Sequence, residues 1–287
     1  MLIVQISDLH VAGADAPVRG FVDTNANLTR AISYIEAMRP KPDLVVATGD
    51  LCDNGLAEEY VLLRELLEGF EIRVLLIPGN HDEREALVEV FDNHTYLPRD
   101  GGPLQYVIEG DVRVVAVDTT RPGHHDGLLD AERLQWLDAT LSGAPQSPTL
   151  VMMHHPPFDT GIWWMDTSHI HGAEDFERVV RRHPQVRRVI AGHIHRSIQT
   201  AWGETVVSVS PSTAHQVGLE LTPEAAPILT AEQPMFTLMR WDGETCISYL
   251  SAFDADIPRL DDLEEYGEWS RAVRYLRGHP PLPKQRG

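Results

Sequence analysis

Five short apolar runs, each followed at once by polar residues, restrict the possible folds of this chain more than any other feature. The runs are rich in β-branched residues, and they cover residues 2–6, 44–47, 74–77, 150–153 and 189–191. Near-continuous apolar runs of this length suit β-strands that are covered on both faces. Helical periodicity separates them, over residues 27–38, 56–67, 83–91, 130–141 and 173–182. The alternation predicts an α/β fold, with Asp130 as the N-cap of its helix and a hairpin over residues 106–117.

The pattern changes after residue 195. Residues 205–209, 236–241 and 245–253 predict antiparallel strands, and a turn through Asp242, Gly243 and Glu244 joins the last two. Residues 210–234 contain four prolines and are too long for a simple turn. We expect this segment to cover part of a site or to form a subunit contact. Residues 260–276 predict an amphipathic helix, and a proline-rich basic tail follows it.

Metal-binding residue types follow directly after all five apolar runs. In chain order they are Asp8 and His10, then Asp50, Asn80, His154, and finally His193 and His195. Ligands of open α/β sheets bind beyond the carboxyl ends of the strands. We therefore expect all seven side chains to meet on one rim of a sheet.

These seven side chains form a mixed nitrogen and oxygen ligand set without a thiolate. Such a set suits Zn, Mn, Fe or Co rather than a structural cysteine zinc site. Asp50 has two oxygens and could bridge two ions, while Asn80 offers a neutral amide oxygen. Seven ligands with one shared give about four protein contacts for each ion, which leaves positions open as in catalytic metal sites. The pattern therefore predicts a catalytic pair of divalent or transition metal ions.

Each motif alone has an ordinary alternative. Asp8 and His10 could be solvated or capping residues, Asn80 could occupy a left-handed turn position, and the His-His-Pro-Pro run could be a loop. The Gly-His-Ile-His motif is equally typical of a loop and of a metal site. All five motifs occur here in order, each at a predicted strand end, and this conjunction favours metal binding.

Composition limits the class of partner. The chain has 287 residues, with 24 Lys and Arg against 43 Asp and Glu, and its net charge of −19 disfavours a long nucleic acid. A small anion stays compatible, because two cations would give the site a local positive excess. No apolar stretch approaches the roughly 20 residues of a membrane span. The two cysteines are too few for a disulfide framework, and we expect Cys52 to be a small buried hydrophobe. The chain begins with a predicted strand instead of a signal peptide, which predicts that the protein is located in the cytoplasm.

Together, the motifs D-L-H, G-D, G-N-H-D, H-H-P-P and G-H-I-H resemble those of the calcineurin-like metallophosphoesterase superfamily. The chain is most similar to the bacterial class III cyclic-nucleotide phosphodiesterases and glycerophosphodiesterases. This narrower resemblance rests on the G-D-L-x-D-x-G run over residues 49–55, the two-histidine run, residues 161–166, and residues 211–216 with His215. It implies a four-layer αββα sandwich of two mixed sheets, with a small cap that takes part in oligomer contacts. The implied catalytic domain covers residues 1–255, with cap-like segments within 158–172 and 210–235, and residues 256–287 form a C-terminal helix and tail.

The same resemblance assigns the ligands to two ions. Asp8, His10, Asp50 and His195 would hold the first ion, and Asp50, Asn80, His154 and His193 would hold the second. The family pattern His-x-Pro places the ligand two residues before Pro156, which selects His154. His155 would then lie behind the ligand and support it.

Residues around these ligands receive roles as well. In the implied mechanism a hydroxide that bridges the two ions attacks the phosphorus, with Asp50 as the shared ligand. His81 is the candidate general acid, although it could instead orient Asn80. Asp53 and Asp82 could accept hydrogen bonds from ligand histidines and fix their tautomers.

Substrate contacts are expected from Asn80, His81, His215 and Asn54, and packing roles remain open for the last two. Trp163 and Trp164 could stack on a nucleobase or be buried in the cap. With Ile162 they also suggest a homodimer or a multiple of dimers.

The sequence therefore predicts a phosphodiesterase that acts on small diesters, such as cyclic nucleotides, glycerophosphodiesters and aryl diesters. A phosphomonoesterase is the first alternative, because four arginines lie near the motifs, namely Arg19, Arg84, Arg121 and Arg196. A metal-free interaction scaffold is the second, and it would predict gaps in the set of seven ligands.

Overall fold

Two β-sheets form the centre of the fold in the computed structural model, which describes residues 1–13 and 17–253. The first sheet has the order β15-β14-β1-β2-β3 and the second has the order β10-β11-β9-β7-β5-β4. The strands of these sheets are β1 Leu2–Ile6, β2 Leu44–Thr48, β3 Val74–Ile77, β4 Tyr106–Ile108, β5 Arg113–Ala116, β7 Thr149–Met152, β9 Val186–Ala191, β10 Ile198–Trp202, β11 Thr205–Val209, β14 Met235–Trp241 and β15 Cys246–Ala252. Two short ladders pair β6 Gly127–Leu128 with β8 Ile170–His171, and β12 Gln216–Val217 with β13 Leu229–Thr230.

Both sheets are mixed. Strands β1, β2 and β3 run parallel, and β14 joins β1 in the antiparallel direction. In the second sheet β5, β7, β9 and β11 run parallel, and the edge strands β4 and β10 are antiparallel to their neighbours. The strands that precede the metal-type residues thus belong to two sheets, so the prediction of a single rim is wrong. The site lies at the carboxyl ends of strands from both sheets.

Helices cover the outer faces of the sheets. They are α1 Thr24–Ala37, α2 Ala57–Leu66, α3 Arg84–Val90, α4 Ala131–Ser142 and α6 Ala173–Arg181, while the short α5 Trp163–Asp166 borders a cavity beside the metal-type residues. One apolar core joins α1, α2 and α3 to the first sheet and to the inner face of the second, where Leu150 and Ile190 point inward. A second core joins α4 and α6 to the outer face of the second sheet, through Val151 and Val189. The predicted four-layer αββα sandwich is confirmed.

Capping side chains set the ends of two helices. The carboxylate of Asp130 accepts the N–H of Arg133, so the predicted N-cap of α4 is confirmed. Helix α1 begins three residues before the predicted start, because Asp23 accepts the N–H of Ala26. Apolar periodicity alone does not indicate such a polar first turn.

The segment after the second sheet is built from loops and short ladders. Residues 210–218 are almost entirely buried, and β12 and β13 tie the segment together. The strand β10 and the short helix α5 were not predicted, since neither has a clear periodicity. No helix in the described part of the chain is long and apolar enough to cross a membrane. The predicted helix over residues 260–276 and its tail lie outside the described residues, and the domain boundary at residue 255 stays a prediction.

Candidate metal centre

Most of the predicted ligands have a strained backbone conformation. Five of them adopt a positive φ, namely Asp8 at 52°, His10 at 46°, Asp50 at 48°, His193 at 71° and His195 at 51°. This left-handed conformation is uncommon for residues other than glycine and costs of the order of 1–3 kcal/mol each. Hydrogen bonds from Asp8 N to Gly49 O and from His10 N to Asp50 O, both 3.0 Å, brace the loops after β1 and β2 against each other. Such strain clusters at functional sites, where the surrounding structure has to maintain it.

Four of the predicted ligands form a buried group. Ligand atoms of Asp8, His10, Asp50 and His195 all lie within 4.8 Å of one another. His10 Nδ1 donates to the Asp53 carboxylate at 3.0 Å and His195 Nδ1 donates to the carbonyl of His215 at 2.9 Å. Both Nε2 atoms therefore carry lone pairs, and they face each other at 3.1 Å. Two converging lone pairs repel unless a cation lies between them, so this group fits a metal ion. The side-chain oxygen Oδ2 of Asp8 also has no hydrogen-bond partner among the described residues.

A second group adjoins the first. Asn80 Oδ1 lies 3.1 Å from His154 Nε2 and 2.8 Å from His193 Nδ1. His154 Nδ1 donates to the Thr48 carbonyl at 2.8 Å, which again leaves a lone pair on Nε2. Asp50 lies between the two groups, because its Oδ1 is 3.4 Å from His154 Nε2 and its Oδ2 is 3.7 Å from His10 Nε2. This arrangement suits a carboxylate that bridges two ions.

His155 lies behind this second group. Its Nδ1 is 2.8 Å from the Thr119 hydroxyl, and its Nε2 donates to the carbonyl of His125 at 3.0 Å. Both ring nitrogens are therefore engaged by the protein, although the ring lies within metal-site distance of His154 and His193. Burial, followed by the charge of His154, lowers the pKa of His155 to about 3. The contacts favour His154 over His155 as the ligand.

Electrostatics favours the protonation states that bind metals. Burial lowers the pKa of His154, His193 and His195, so these imidazoles are neutral near pH 7. Burial would raise the pKa of Asp50, but the nearby His154, His81 and His10 outweigh it and hold the pKa below its usual range. Burial and the charge of Asp50 raise the pKa of Asp8. Neutral histidines and an ionised Asp50 are the forms that coordinate a metal, and a cation would offset the repulsion between the two carboxylates.

Of the two expected supporting carboxylates, only Asp53 contacts a ligand histidine. Asp82 accepts the N–H groups of Leu51 at 2.9 Å, Cys52 at 3.1 Å and Gly79 at 2.8 Å, and the Tyr60 hydroxyl at 2.9 Å. The prediction that Asp82 fixes a histidine tautomer is therefore wrong. Instead, the Asp82 carboxylate links the loops after β2 and β3. Burial, followed by the charge of Asp50, raises the pKa of Asp82 to about 7.

His81 and His125 lie on the outer side of the site. His81 Nδ1 donates to the Asp53 carbonyl at 2.7 Å, and its backbone N–H donates to Asp50 Oδ1 at 2.9 Å. Burial alone would lower the pKa of His81, but Asp50 and Asp53 raise it above its ordinary value. The Asn80 amide nitrogen lies 3.1 Å from His125 Nδ1, and donation there turns Oδ1 of Asn80 towards His154 and His193. Sequence reasoning missed His125, because it sits in an exposed loop and not at a strand end.

Two cavities flank the centre. One of about 470 Å³ lies on the His81 side and is lined by Asn54, Arg121 and His125, among others. The other, of about 450 Å³, is lined by His10 and Asp50 together with Arg19, Trp164 and His215. Val217, Pro227 and Leu229 also line this second cavity, so the segment of residues 210–234 covers part of the site as expected.

The apolar residues 162–164 divide between core and surface. Ile162 is fully buried in the second apolar core, so its predicted place in a dimer contact is wrong. Trp164 packs against the same core, whereas Trp163 is 45% exposed. Cys52 is fully buried, as expected, and neither Cys52 nor Cys246 forms a disulfide.

Comparisons with known proteins agree with this geometry. The family model described as calcineurin-like phosphoesterase matches residues 1–197. A probable glycerophosphodiester phosphodiesterase GpdQ of Arcobacter nitrofigilis is 34% identical over 271 residues, covering 92% of this chain and 99% of the relative. A probable cyclic nucleotide phosphodiesterase of Synechococcus is 36% identical over 216 residues, covering 75% of this chain and 81% of the relative. A dimetal phosphatase from Danio rerio has a similar fold, with a TM-score of 0.60 and 15% identity over 88% of this chain and 99% of its own.

Proposed function

The chain belongs to the calcineurin-like phosphoesterase family, and from this we propose that it is a dinuclear metal phosphodiesterase acting on small phosphodiesters. The observation that carries the proposal is the position of Asp50 between two converging sets of nitrogen and oxygen atoms. Asp8, His10 and His195 would hold one ion with Asp50, while Asn80, His154 and His193 would hold the other. Bound ions would neutralise the phosphoryl oxygens and lower the pKa of an attacking water.

The protein residues contribute orientation and proton transfer. Asp53 fixes the His10 tautomer and Thr48 fixes that of His154, so both rings present Nε2 to the centre. Because His81 uses Nδ1 to donate to the Asp53 carbonyl, its Nε2 is available to hold a proton for the leaving oxygen. General acid catalysis of this kind contributes typically about 10²–10⁴-fold.

For the substrate we propose diesters such as glycerophosphodiesters and cyclic nucleotides. The proposal rests on the relatives named above and on the two cavities, which give each side of a bound phosphate its own space. His215 and Trp164 would contact a substituent in one cavity, and Asn54 would contact a substituent in the other. His81 and Asn80 lie between these cavities and line both.

A phosphomonoesterase has less support from the contacts. A dianionic phosphate favours cationic groups that are free to bind it, but three of the four candidate arginines form ion pairs. Arg84 pairs with Asp118 at 2.6 Å, Arg121 with Asp126 at 2.9 Å, and Arg196 with Glu232 at 2.7 Å. A metal-free scaffold is disfavoured by the complete set of seven ligand types.

Mn, Fe, Zn and Co all suit the nitrogen and oxygen ligands, and we propose a pair drawn from these metals. We also propose a homodimer or a multiple of dimers, in which the exposed Trp163 would lie at a contact. The free thiols are compatible with a cytoplasmic enzyme, and we retain the cytoplasm as the proposed compartment.

Hydrolysis of two chromogenic esters tests the function. Enzyme loaded with Mn, Zn or Co should hydrolyse bis(p-nitrophenyl) phosphate faster than p-nitrophenyl phosphate, and a chelator should abolish both activities. Faster hydrolysis of the monoester would indicate that the protein is a phosphomonoesterase and not a phosphodiesterase. If the protein binds no transition metal and hydrolyses neither ester in added Mn, the metal-free interaction scaffold would be the remaining alternative. A panel of glycerophosphodiesters and cyclic nucleotides then identifies the preferred diester.

A further inference from the structure

Arg188 lies in the interior at the end of the sandwich opposite to the metal centre. It belongs to the start of β9, whereas His193 and His195 follow the end of that strand. Its side chain is 8% exposed and borders a small cavity between the two sheets. Ile3 and Met239 of the first sheet and Leu150 of the second also line this cavity. A guanidinium is therefore held between two apolar sheet faces.

Among the described residues, this guanidinium makes one hydrogen bond. Nη2 of Arg188 donates to the Cys246 carbonyl at 2.8 Å. Nε and Nη1 are buried and have no hydrogen-bond partner in the described part of the chain. An unmet buried donor of this kind costs about 1–3 kcal/mol, and more when the group is charged.

The charge of Arg188 also has no counterion in the described part of the chain. Within residues 1–13 and 17–253, no carboxylate forms an ion pair with it, although the other two buried arginines are both paired. Arg113, also 8% exposed, pairs with Glu109, and Arg133, 6% exposed, pairs with Asp130. Burial raises the pKa of the Cys246 thiol despite the nearby Arg188, so this thiol is neutral and does not balance the charge.

An arginine has no means of relieving this burial by losing its proton. The guanidinium cannot be deprotonated in proteins, so burial does not remove its charge. A buried cation that has no ion-pair partner among residues 1–13 and 17–253 favours the binding of an anion. The cavity leaves about 10 Å³ for the centre of a water-sized sphere, which is room for one water molecule or one ion of similar size. A water molecule would satisfy a donor, but it would leave the charge uncompensated.

We propose that Arg188 binds a small monovalent anion, of the size and charge of a halide, in the cavity between the two sheets. The Nε and Nη1 donors are available to bind the anion, and the apolar residues around the cavity exclude larger ligands. The exposed Arg187, which also borders the cavity, adds positive potential at its entrance. The anion links folding to the concentration of chloride, because only the folded chain assembles the cavity.

Chloride dependence of stability tests the site. Denaturant unfolding of the metal-loaded protein is measured in sodium chloride and sodium bromide against sodium gluconate, at constant ionic strength. The unfolding equilibrium constant of the wild type should fall by a factor of one plus the ratio of halide concentration to Kd, which is about tenfold when the halide concentration is about nine times its Kd. Arg188→Met should lose this response and, in gluconate, be at least as stable as the wild type, because the unpaired charge is gone.

Arg113→Met is the matched control. It removes an equally buried arginine whose charge already has a partner, so the halide response should remain at its wild-type size. An equal halide response in Arg188→Met and the wild type, or none in the wild type, would overturn the proposal.

A second measurement does not depend on any variant. Crystals of the wild type grown in bromide should show an anomalous peak within hydrogen-bond distance of Arg188 Nε and Nη1. A water molecule at that position, with no anomalous signal, would refute the anion site even if Arg188→Met failed to fold. Neither experiment involves catalysis, so the outcome is independent of the proposed phosphodiesterase activity.

Discussion

His10 is held between two carboxylates: its Nδ1 lies 3.0 Å from Asp53 Oδ1, and its Nε2 lies 3.7 Å from Asp50 Oδ2. The first contact fixes the proton on Nδ1, which leaves the lone pair of Nε2 directed at the centre. Asp53 would thus orient a predicted metal ligand, in the way that outer carboxylates orient ligand histidines in metalloenzymes.

Replacing Asp53 by Asn should weaken binding of the ion held by His10. The amide is a poorer acceptor and allows His10 to rotate or change tautomer, so we expect a loss of about 10–100-fold in metal affinity. A calorimetric titration of the metal-depleted protein with Mn measures the loss in affinity. The exposed Asp92, changed to Asn, is the control and should bind metal like the wild type. Unaltered affinity in Asp53→Asn would show that His10 is positioned by other contacts.

A methyl group at Gly79 should disturb the shared ligand. A Cβ built at this glycine overlaps the backbone nitrogen and Oδ1 of Asp50, so Asp50 has to move. A misplacement of about 1 Å can reduce catalysis by about 100-fold, and we expect a loss in kcat/KM of that size for Gly79→Ala. Gly13→Ala is the matched control, since nothing lies within 4 Å of a Cβ there, and it should retain activity. Full activity in Gly79→Ala would mean that the position of Asp50 is not critical.

His125 should affect metal binding by holding the side chain of Asn80 in position. Without its ring, the Asn80 amide loses an acceptor 3.1 Å away and is free to turn its oxygen from the centre. We expect His125→Ala to weaken binding of the second ion by about 10–100-fold, so that its activity recovers with excess metal. His125→Gln keeps an acceptor and should restore part of the affinity, while the exposed His169→Ala should have no effect. Loss of activity that neither excess metal nor the Gln variant recovers would contradict a positioning role.

The leaving group should reveal the role of His81. A poor leaving group such as the alkoxide of a glycerophosphodiester needs a proton, whereas p-nitrophenolate leaves without one. We therefore expect His81→Gln to lower kcat by about 10²–10⁴-fold for the glycerophosphodiester and by much less for bis(p-nitrophenyl) phosphate. Equal losses for the two substrates would indicate that His81 orients Asn80 and does not act as an acid.

Strand ends explain why the convergence of these side chains could be predicted from sequence. A buried strand followed by a polar residue has a defined direction, and parallel strands bring such residues to one end of a sheet. The same reasoning could not assign β1 and β7 to different sheets, since strand pairing is a non-local property. It also failed for Asp82, because three of its four partners, Leu51, Cys52 and Gly79, contribute backbone groups that carry no sequence signal.

Buried charge was another feature that sequence did not reveal. Arg187 and Arg188 are adjacent, and two consecutive arginines are typical of a surface. The alternation of a β-strand points one of them outward and the other between the sheets, and only the packed structure identifies Arg188 as the buried one. Ile162 is the opposite case, an apolar residue in a loop that was assigned to a contact surface but lies in the core.

Crystals of the Mn-loaded protein give the most direct test of the central claim, which is that Asp50 joins two ions in one centre. Anomalous scattering at the Mn edge should show two peaks about 3.5–4 Å apart, with one oxygen of Asp50 or its whole carboxylate contacting both. One peak should lie among Asp8, His10 and His195, and the other among Asn80, His154 and His193. A single peak, or two peaks of which Asp50 touches only one, would contradict the account.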